Sequence, residues 1–591
     1  MKRSQTAEKY KWHLNDMVDS SETFEKLFSE VDGALEKIES YKGKLACRDD
    51  ALSCLRLDEE VSRKFELIYI YSHMLRDEDA TAPEPVALAS RTEGLAGKYG
   101  TAASFISSEL GALEDKVLDA YIADPEFSDF DFMLKEIKRQ KEHILSDKEE
   151  KLLALASSPL KTTYNVAHML FDADLKFKPV KKDGKKVELN NGSYGELLAD
   201  PDRAVRKQAF NNLYDGYIAH INTIAANYAG SVKADNFYAK ARGYNDCLEK
   251  SLFGDGVPTS VYTNLIDAVG RNLEPLHRYI ALRKKMLGLK EQHMYDLYVP
   301  IVENAEMKLP YEEACEIVKS AMAPMGKDYV GLLDKAMTEG WIDVMPNDGK
   351  RGGAYSWSSY SAHPYVLLNY TPTTEDIFTL AHELGHCMHS YYSQHGQPYS
   401  KWDYQIFVAE VASICNETLL DDYLMKNVAN DNIKKYLLSL RLNRFRTTLF
   451  RQAMFAEFEY NAHKMDLEGK PLTVDNLSEM YLELNKKYYG KDVIHDDKIA
   501  YEWARIPHFY TAFYVYKYST GMTAATSIAH NILARHGYVD VYKNKFLSAG
   551  GHKSPYDILC DTEVDLATAK PYDDAFAFMA SALDDLEKLC K

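Results

Sequence analysis

Apolar residues recur every three or four positions between charged faces through residues 5–80 and 85–160. That spacing turns one side of a helix toward an interior, so amphipathic helices are predicted over most of this stretch. Prolines are sparse and fall mainly between such segments, as at Pro83 and Pro85. The pattern changes at 175–189, where Leu175, Phe177, Val180, Val187 and Leu189 flank the turn pair Asp183-Gly184. A β-hairpin is predicted there. Helical spacing resumes around Asp202 and Arg203 and yields again at 341–370. That island runs through Trp341-Ile342-Asp343-Val344, Gly353-Ala354-Tyr355-Ser356-Trp357 and Tyr365-Val366-Leu367-Leu368. Its aromatic and β-branched residues, punctuated by glycine, predict two or three short strands. Helix returns after Thr371-Pro372-Thr373-Thr374-Glu375, whose hydroxyls can cap exposed backbone N–H groups. No solenoid period or low-complexity tract interrupts this. The expectation is a mostly α chain with a soft boundary near 200: an N-terminal helical region with the hairpin over 1–200, and a larger functional region over 201–591.

Composition narrows the function classes. A chain of 591 residues buries a large core without disulfides or a structural metal. With 71 Lys plus Arg against 89 Asp plus Glu, the net charge is 71 − 89 = −18. An acidic surface is repelled by phosphate backbones and anionic lipid, so neither nucleic acid nor a membrane is expected as partner. The densest basic run, Lys181-Lys182-Asp183-Gly184-Lys185-Lys186, coincides with the hairpin tip. The eight cysteines (Cys47, Cys54, Cys247, Cys315, Cys387, Cys415, Cys560 and Cys590) form no CxxC pair. Free thiols in a reducing compartment are expected, hence the cytoplasm. No window approaches the ~18 apolar residues of a membrane span, and Met1-Lys2-Arg3-Ser4-Gln5 lacks the apolar stretch of a secretory signal.

The candidate chemistry lies in His382-Glu383-Leu384-Gly385-His386. On a helix, residues i and i+4 point only about 40° apart, one turn along. His382 and His386 can therefore reach one metal ion, and Glu383 can contact a metal-held water as general base without ligating. Ile377, Phe378, Leu380, Ala381, Leu384 and Met388 trace an apolar stripe beside them. Gly385 in mid-helix costs about 1 kcal/mol relative to alanine, which a close packing neighbour would explain. A catalytic zinc needs a third ligand and an open position. The long form with a third histidine is excluded, because His389 and Tyr392 stand where Gly and His would be required. Glu410, set among small and apolar residues in Phe407-Val408-Ala409-Glu410-Val411-Ala412-Ser413, supplies the alternative. A carboxylate there is expensive to bury without a cation. Glu417, two turns later on the same face, either orients a histidine or forms a structural ion pair.

Residues 501–521 carry four tyrosines within nine positions: Tyr510, Tyr514, Tyr516 and Tyr518. Aromatics at helical spacing commonly form core, yet peptide hydrolysis also needs hydrogen-bond donors beside a developing oxyanion. His508 and a tyrosine such as Tyr516 fit that need.

Taken in order, the HELGH pentapeptide, Ala409-Glu410-Val411-Ala412-Ser413, and Ile506-Pro507-His508-Phe509-Tyr510 with Phe513-Tyr514-Val515-Tyr516 resemble the thimet-oligopeptidase-like metallopeptidases, and most closely the oligoendopeptidase F branch. Lys350-Arg351-Gly352-Gly353-Ala354-Tyr355-Ser356, Asn369-Tyr370 and the segment from Phe450 to Glu459 also look like that branch. The resemblance is strong over roughly 200–590 and weaker before. It implies a mostly α, two-lobed enzyme with a deep channel that admits short unstructured peptides. It also implies one zinc ion per chain on His382, His386 and Glu410, with Glu383 activating the water. His508 and Tyr516 would then steady the oxyanion, with Tyr510 and Tyr514 as further candidates. The strand at Ala354, Tyr355 and Ser356 would pair with extended substrate. Thr511, Ser519, Ser358, Ser361 and His552 depart from the branch pattern and bear on substrate preference. Two other readings stand beside an endopeptidase: a peptide-binding protein that has lost activity, and a carboxypeptidase on a similar scaffold. The oligomeric state is open between monomer and small homo-oligomer.

Overall fold

The computed structural model describes residues 2–302 and 305–590. The chain is mostly helical with a few short strands, as its periodicity predicts. It folds into two compact units, each assembled from segments far apart in sequence. Among the described residues, no helix is long and apolar enough to cross a membrane.

The first unit comprises Met1–Glu142, Met307–Lys426 and Ile528–Val564. The predicted helix over 5–80 is broken. Three single 3-10 turns come first, then the helices Ser21–Glu39 and Arg48–Glu78, separated by a turn with Gly43 at φ 81°. Ser20 caps the first long helix by accepting from the Thr23 N–H at 3.1 Å. Pro83 opens the next helix, Pro83–Ala103, where its missing N–H costs nothing. Val31, Ile68, Leu110, Phe127 and Leu134 join one apolar cluster that includes Tyr365 and Leu367 of the sheet.

That sheet has three strands: β3 (Ile342–Asp343), β4 (Tyr355–Trp357) and β5 (Tyr365–Leu367), in the order β3-β5-β4. β5 is fully buried, parallel to β3 and antiparallel to β4, with Ser356 opposite Val366. β4 is therefore an edge strand. Buried charges fix its approach: Lys350 pairs with Asp343 at 2.7 Å, and Arg3 reaches the same carboxylate at 2.6 Å. Arg351 pairs with Asp77 at 3.0 Å, and the Tyr355 hydroxyl donates to that carboxylate at the same distance. Thr373 then caps the helix Thr374–Gly396, accepting from the Asp376 N–H at 3.1 Å. The helix Ile406–Asn427 follows.

The second unit comprises His143–Glu306, Asn427–Ser527 and Asp565–Lys591. Its hairpin pairs β1 (Val180–Lys182) with β2 (Lys185–Val187), Val180 opposite Val187. Asp183 and Gly184 both take positive φ, 49° and 75°, as a two-residue turn of right-twisted strands requires. Asp202 caps the helix Arg203–Ile218. The core is rich in tyrosine, with Tyr228, Phe458, Trp503 and Phe509 in ring contact. Two buried hydroxyls find partners, Tyr481 donating to Glu502 at 2.6 Å and Tyr262 to the Ala456 carbonyl at 2.7 Å, whereas that of Tyr228 has none among the described residues. Arg451 closes on Glu502 at 2.5 Å.

Candidate active site

The helix Thr374–Gly396 buries the predicted stripe: Ile377, Phe378, Leu380, Ala381, Leu384 and Met388 are all 3% exposed or less. This anchors the helix and turns His382 and His386 to one side. Their Nε2 atoms lie 3.2 Å apart. Glu410, on the helix Ile406–Asn427, places Oε2 3.4 Å from His382 Nε2 and 3.6 Å from His386 Nε2. Three ligands about 2.0–2.1 Å from a tetrahedral centre would stand roughly 3.4 Å from one another. The triangle thus has the size of a metal-ligand set, and its donors are those of a His2Glu site. Glu410 keeps 39% of its side-chain surface open, so one side of the triangle is free for a water or a substrate.

The close approach of the two helices depends on Gly385. A Cβ at that position would lie 2.5 Å from Ser413 Cα and 2.8 Å from the Ala412 carbonyl oxygen. This is the packing neighbour that the mid-helix glycine implied. Asn416 reinforces the crossing, donating to the Ala381 carbonyl at 3.2 Å while accepting from Tyr329 at 2.9 Å. Ser413 donates to the Glu410 carbonyl at 3.0 Å and lies 3.3 Å from its carboxylate. The sequence reading passed over both residues, because their partners lie on another turn or another helix.

The electrostatics favour a cation. Burial lowers the His382 pKa, but Glu410 and Glu417 outweigh it and bring it up to about 10. The same two histidines hold the Glu410 carboxyl well below the usual range. Glu417 Oε1 accepts from His382 Nδ1 at 2.6 Å, which leaves Nε2 to face the triangle. Glu383 is 7% exposed, and its Oε2 has no hydrogen-bond partner among the described residues. Burial raises its pKa, against the pull of His382 and His386. A buried carboxylate oxygen left open beside a cation site is placed to take a proton. His389 stands outside the triangle, fully buried and stacked on Tyr404 at 3.7 Å and on Phe546 at 4.9 Å.

The other expected residues are placed as follows. Ala354, Tyr355 and Ser356 lie at and just before the edge strand β4, and the Ser356 hydroxyl is buried without a partner among the described residues. His508, Tyr510, Tyr514 and Tyr516 belong to the second unit. Tyr510 ends a short 3-10 turn and packs edge-on to Phe171 and Tyr228. Tyr514 lies parallel to His508, with centroids 5.9 Å apart. Tyr516 is fully buried against Tyr262, at 5.1 Å. Tyr518, which the sequence reading did not single out, brings its hydroxyl to 3.4 Å from His508 Nε2. The signal for it was present, since it is the last of the four closely spaced tyrosines.

An HExxH helix completed by a carboxylate from a second helix, on a mostly helical frame, defines a metallopeptidase of the zincin kind. Residues 196–578 match peptidase family M3, and residues 109–177 match the oligopeptidase F family. The chain is similar to oligopeptidase PepF of Bacillus subtilis (strain 168), 39% identical over 99% of this chain and 88% of that protein. It is 36% identical to the oligoendopeptidase F homolog of Lactococcus lactis subsp. lactis (strain IL1403), over 99% and 98% of the two chains. Among solved structures, oligoendopeptidase-F from Enterococcus faecium superposes with a TM-score of 0.73 at 33% identity, covering 96% of this chain and 99% of that one. A crystal structure from Chlamydophila abortus superposes with a TM-score of 0.95 at 33% identity, over 100% and 99% of the two chains. The chain belongs to peptidase family M3, in its oligoendopeptidase F branch. It is a metalloendopeptidase, acts on peptides and uses a metal cofactor.

Proposed function

We propose that the protein cleaves internal bonds of short, unstructured peptides with one zinc ion held by His382, His386 and Glu410. The observation that carries this reading is the triangle of donors 3.2–3.6 Å apart, with the unpartnered Glu383 oxygen next to it in the chain. Bound zinc supplies Lewis acidity, lowering the pKa of a water toward about 7 and polarising a carbonyl. Glu383 takes the proton of the attacking water and returns it to the leaving amine. Glu417 holds His382 in the tautomer that presents Nε2. The edge of β4 at Ala354, Tyr355 and Ser356 offers unpaired backbone groups to an extended peptide, a mode in which only extended chains compete. For the oxyanion we propose His508 and the tyrosines that follow it, Tyr510, Tyr514 and Tyr516, on the resemblance of that segment. Tyr518 joins them through its position beside His508. The eight free cysteines support a reducing compartment, the cytoplasm.

Glu383→Gln provides the test. It should retain zinc as the parent does, while hydrolysis of a quenched fluorogenic peptide falls by at least about 10²–10⁴-fold. Cleavage at the parent rate would remove Glu383 from the mechanism. Product mass mapping separates the alternatives: internal cuts exclude a carboxypeptidase, and zinc binding without hydrolysis in the parent would favour the peptide-binding reading.

A further inference from the structure

A second convergence of metal donors lies in the second unit, away from the HELGH helix. Asp235, Cys247 and His463 each direct one donor atom to a common place, all within 4.8 Å of one another. They come from three helices: Ile221–Ala241, Cys247–Gly254 and Arg451–Leu467. Cys247 and His463 are buried, at 1% and 2% exposure, and Asp235 is half-buried. Three polar groups from separate helices rarely meet in a core without something that satisfies them together.

The histidine is oriented as a ligand would be. His463 Nδ1 lies 2.9 Å from the Glu459 carbonyl oxygen. A carbonyl only accepts, so Nδ1 carries the hydrogen and Nε2 faces Asp235 Oδ2 at 3.4 Å. A ring fixed through its far nitrogen by a backbone carbonyl is the usual support of a metal-binding imidazole. Carboxylate, sulfur and Nε2 then point lone pairs at one another, which only a cation or a proton relieves. A divalent ion would replace that proton.

We propose that Asp235, Cys247 and His463 form a second metal site, selective for zinc-class ions. Thiolate and imidazole together favour zinc over magnesium or calcium, which take oxygen ligands. A cavity of about 820 Å³, lined by Asp235, Tyr238, Ser251 and Tyr510, reaches the carboxylate and provides both an entry path and room for a water ligand. The site is structural. Its metal clamps the Ile221–Ala241 and Cys247–Gly254 helices to the Arg451–Leu467 helix, whose Glu459 accepts from the Phe513 N–H at 2.8 Å. Phe513 holds a positive φ of 56° and packs on the His463 ring at 4.7 Å, so the clamp also braces the turn within the 508–518 segment.

This inference does not rest on the proposed peptidase mechanism, and its test reads a different signal. Metal-free full-length protein is titrated with cobalt(II). The His382, His386 and Glu410 set contains no sulfur, so a thiolate-to-cobalt charge-transfer band in the near ultraviolet cannot come from it, and Cys247→Ser separates Cys247 from the other seven thiols. The expected result is that band within two equivalents in the parent and at one equivalent in a His382→Ala/His386→Ala variant, its loss in Cys247→Ser, and its displacement by zinc. The Cys247→Ser variant, checked for folding by circular dichroism, should also lose zinc-dependent thermal stabilisation in the His382→Ala/His386→Ala background. If that double variant does not fold, the parent titration alone decides. Absence of the band in the parent, or its persistence in Cys247→Ser, overturns the proposal.

Discussion

The sharpest prediction concerns Gly385→Ala, because two physical effects of opposite sign meet there. Helix propensity alone makes the change stabilising by about 1 kcal/mol. The tertiary contact reverses this. The new Cβ would stand 2.5 Å from Ser413 Cα, where ordinary contact begins at 3.4 Å, so the two helices must separate by at least 3.4 − 2.5 = 0.9 Å. The atoms in the way are backbone and cannot rotate aside. Overpacking of this kind costs about 1–3 kcal/mol, and a backbone clash belongs at the upper end. Net destabilisation of roughly 1–2 kcal/mol follows after the propensity gain is subtracted. Moving the Glu410 helix by 0.9 Å also exceeds the tolerance of metal geometry, about 0.2 Å, so metal affinity should fall on the order of 10–100-fold. Thermal denaturation and competition with a chromophoric chelator measure the two effects. Gly331→Ala is the control: Gly331 lies in the helix Lys327–Thr338 with nothing within 4 Å of an added Cβ, and should gain about 0.5–1 kcal/mol. A Gly385→Ala protein as stable as the parent, with unchanged metal affinity, would refute the reasoning.

Three further outcomes are expected. Glu417→Ala removes the 2.6 Å acceptor of His382 Nδ1 and should weaken metal binding about 10–100-fold by chelator competition; unchanged affinity would leave Glu417 a merely structural partner. Burial, aided by His386, holds His389 down at about 3, below its unfolded value near 6.5. Because the folded pKa is depressed, this stability is full above pH 6.5 and is lost as pH falls toward 3, at about 1.4 kcal/mol per unit. His389→Phe, which keeps the stack on Tyr404, should flatten that limb in urea titrations between pH 6.5 and 4; an unaltered slope rejects the assignment. Arg451→Met strands the buried Glu502 carboxylate with Arg505 as its remaining cation, 3.5 Å away. It should cost about 3 kcal/mol by thermal denaturation, partly recovered by adding Glu502→Gln, and no loss would show that Arg505 suffices.

Features decided within a turn or two of chain were legible in the sequence by itself. Asp183-Gly184 specifies its hairpin because both residues tolerate positive φ. Thr373 and Asp202 cap their helices through hydroxyl and carboxylate oxygens that reach N–H groups two or three residues on. His382 and His386 face one way because four residues make one helical turn and the apolar stripe beside them fixes which way. The third donor was legible for a related reason: a carboxylate among small apolar residues needs a cation wherever the chain leads. Other features depended on packing between distant segments, about which local periodicity says nothing. Gly385 announced a neighbour but not which one, and the fold supplied Ser413. Glu417 could have been an ion pair anywhere until the two helices crossed and set it on His382. Periodicity could not say that Tyr516 would be buried while Tyr518 stood at His508, because helical spacing assigns faces only relative to a core it does not locate. Asp235, Cys247 and His463 are unremarked singly in the chain, and only the meeting of three helices makes them a set.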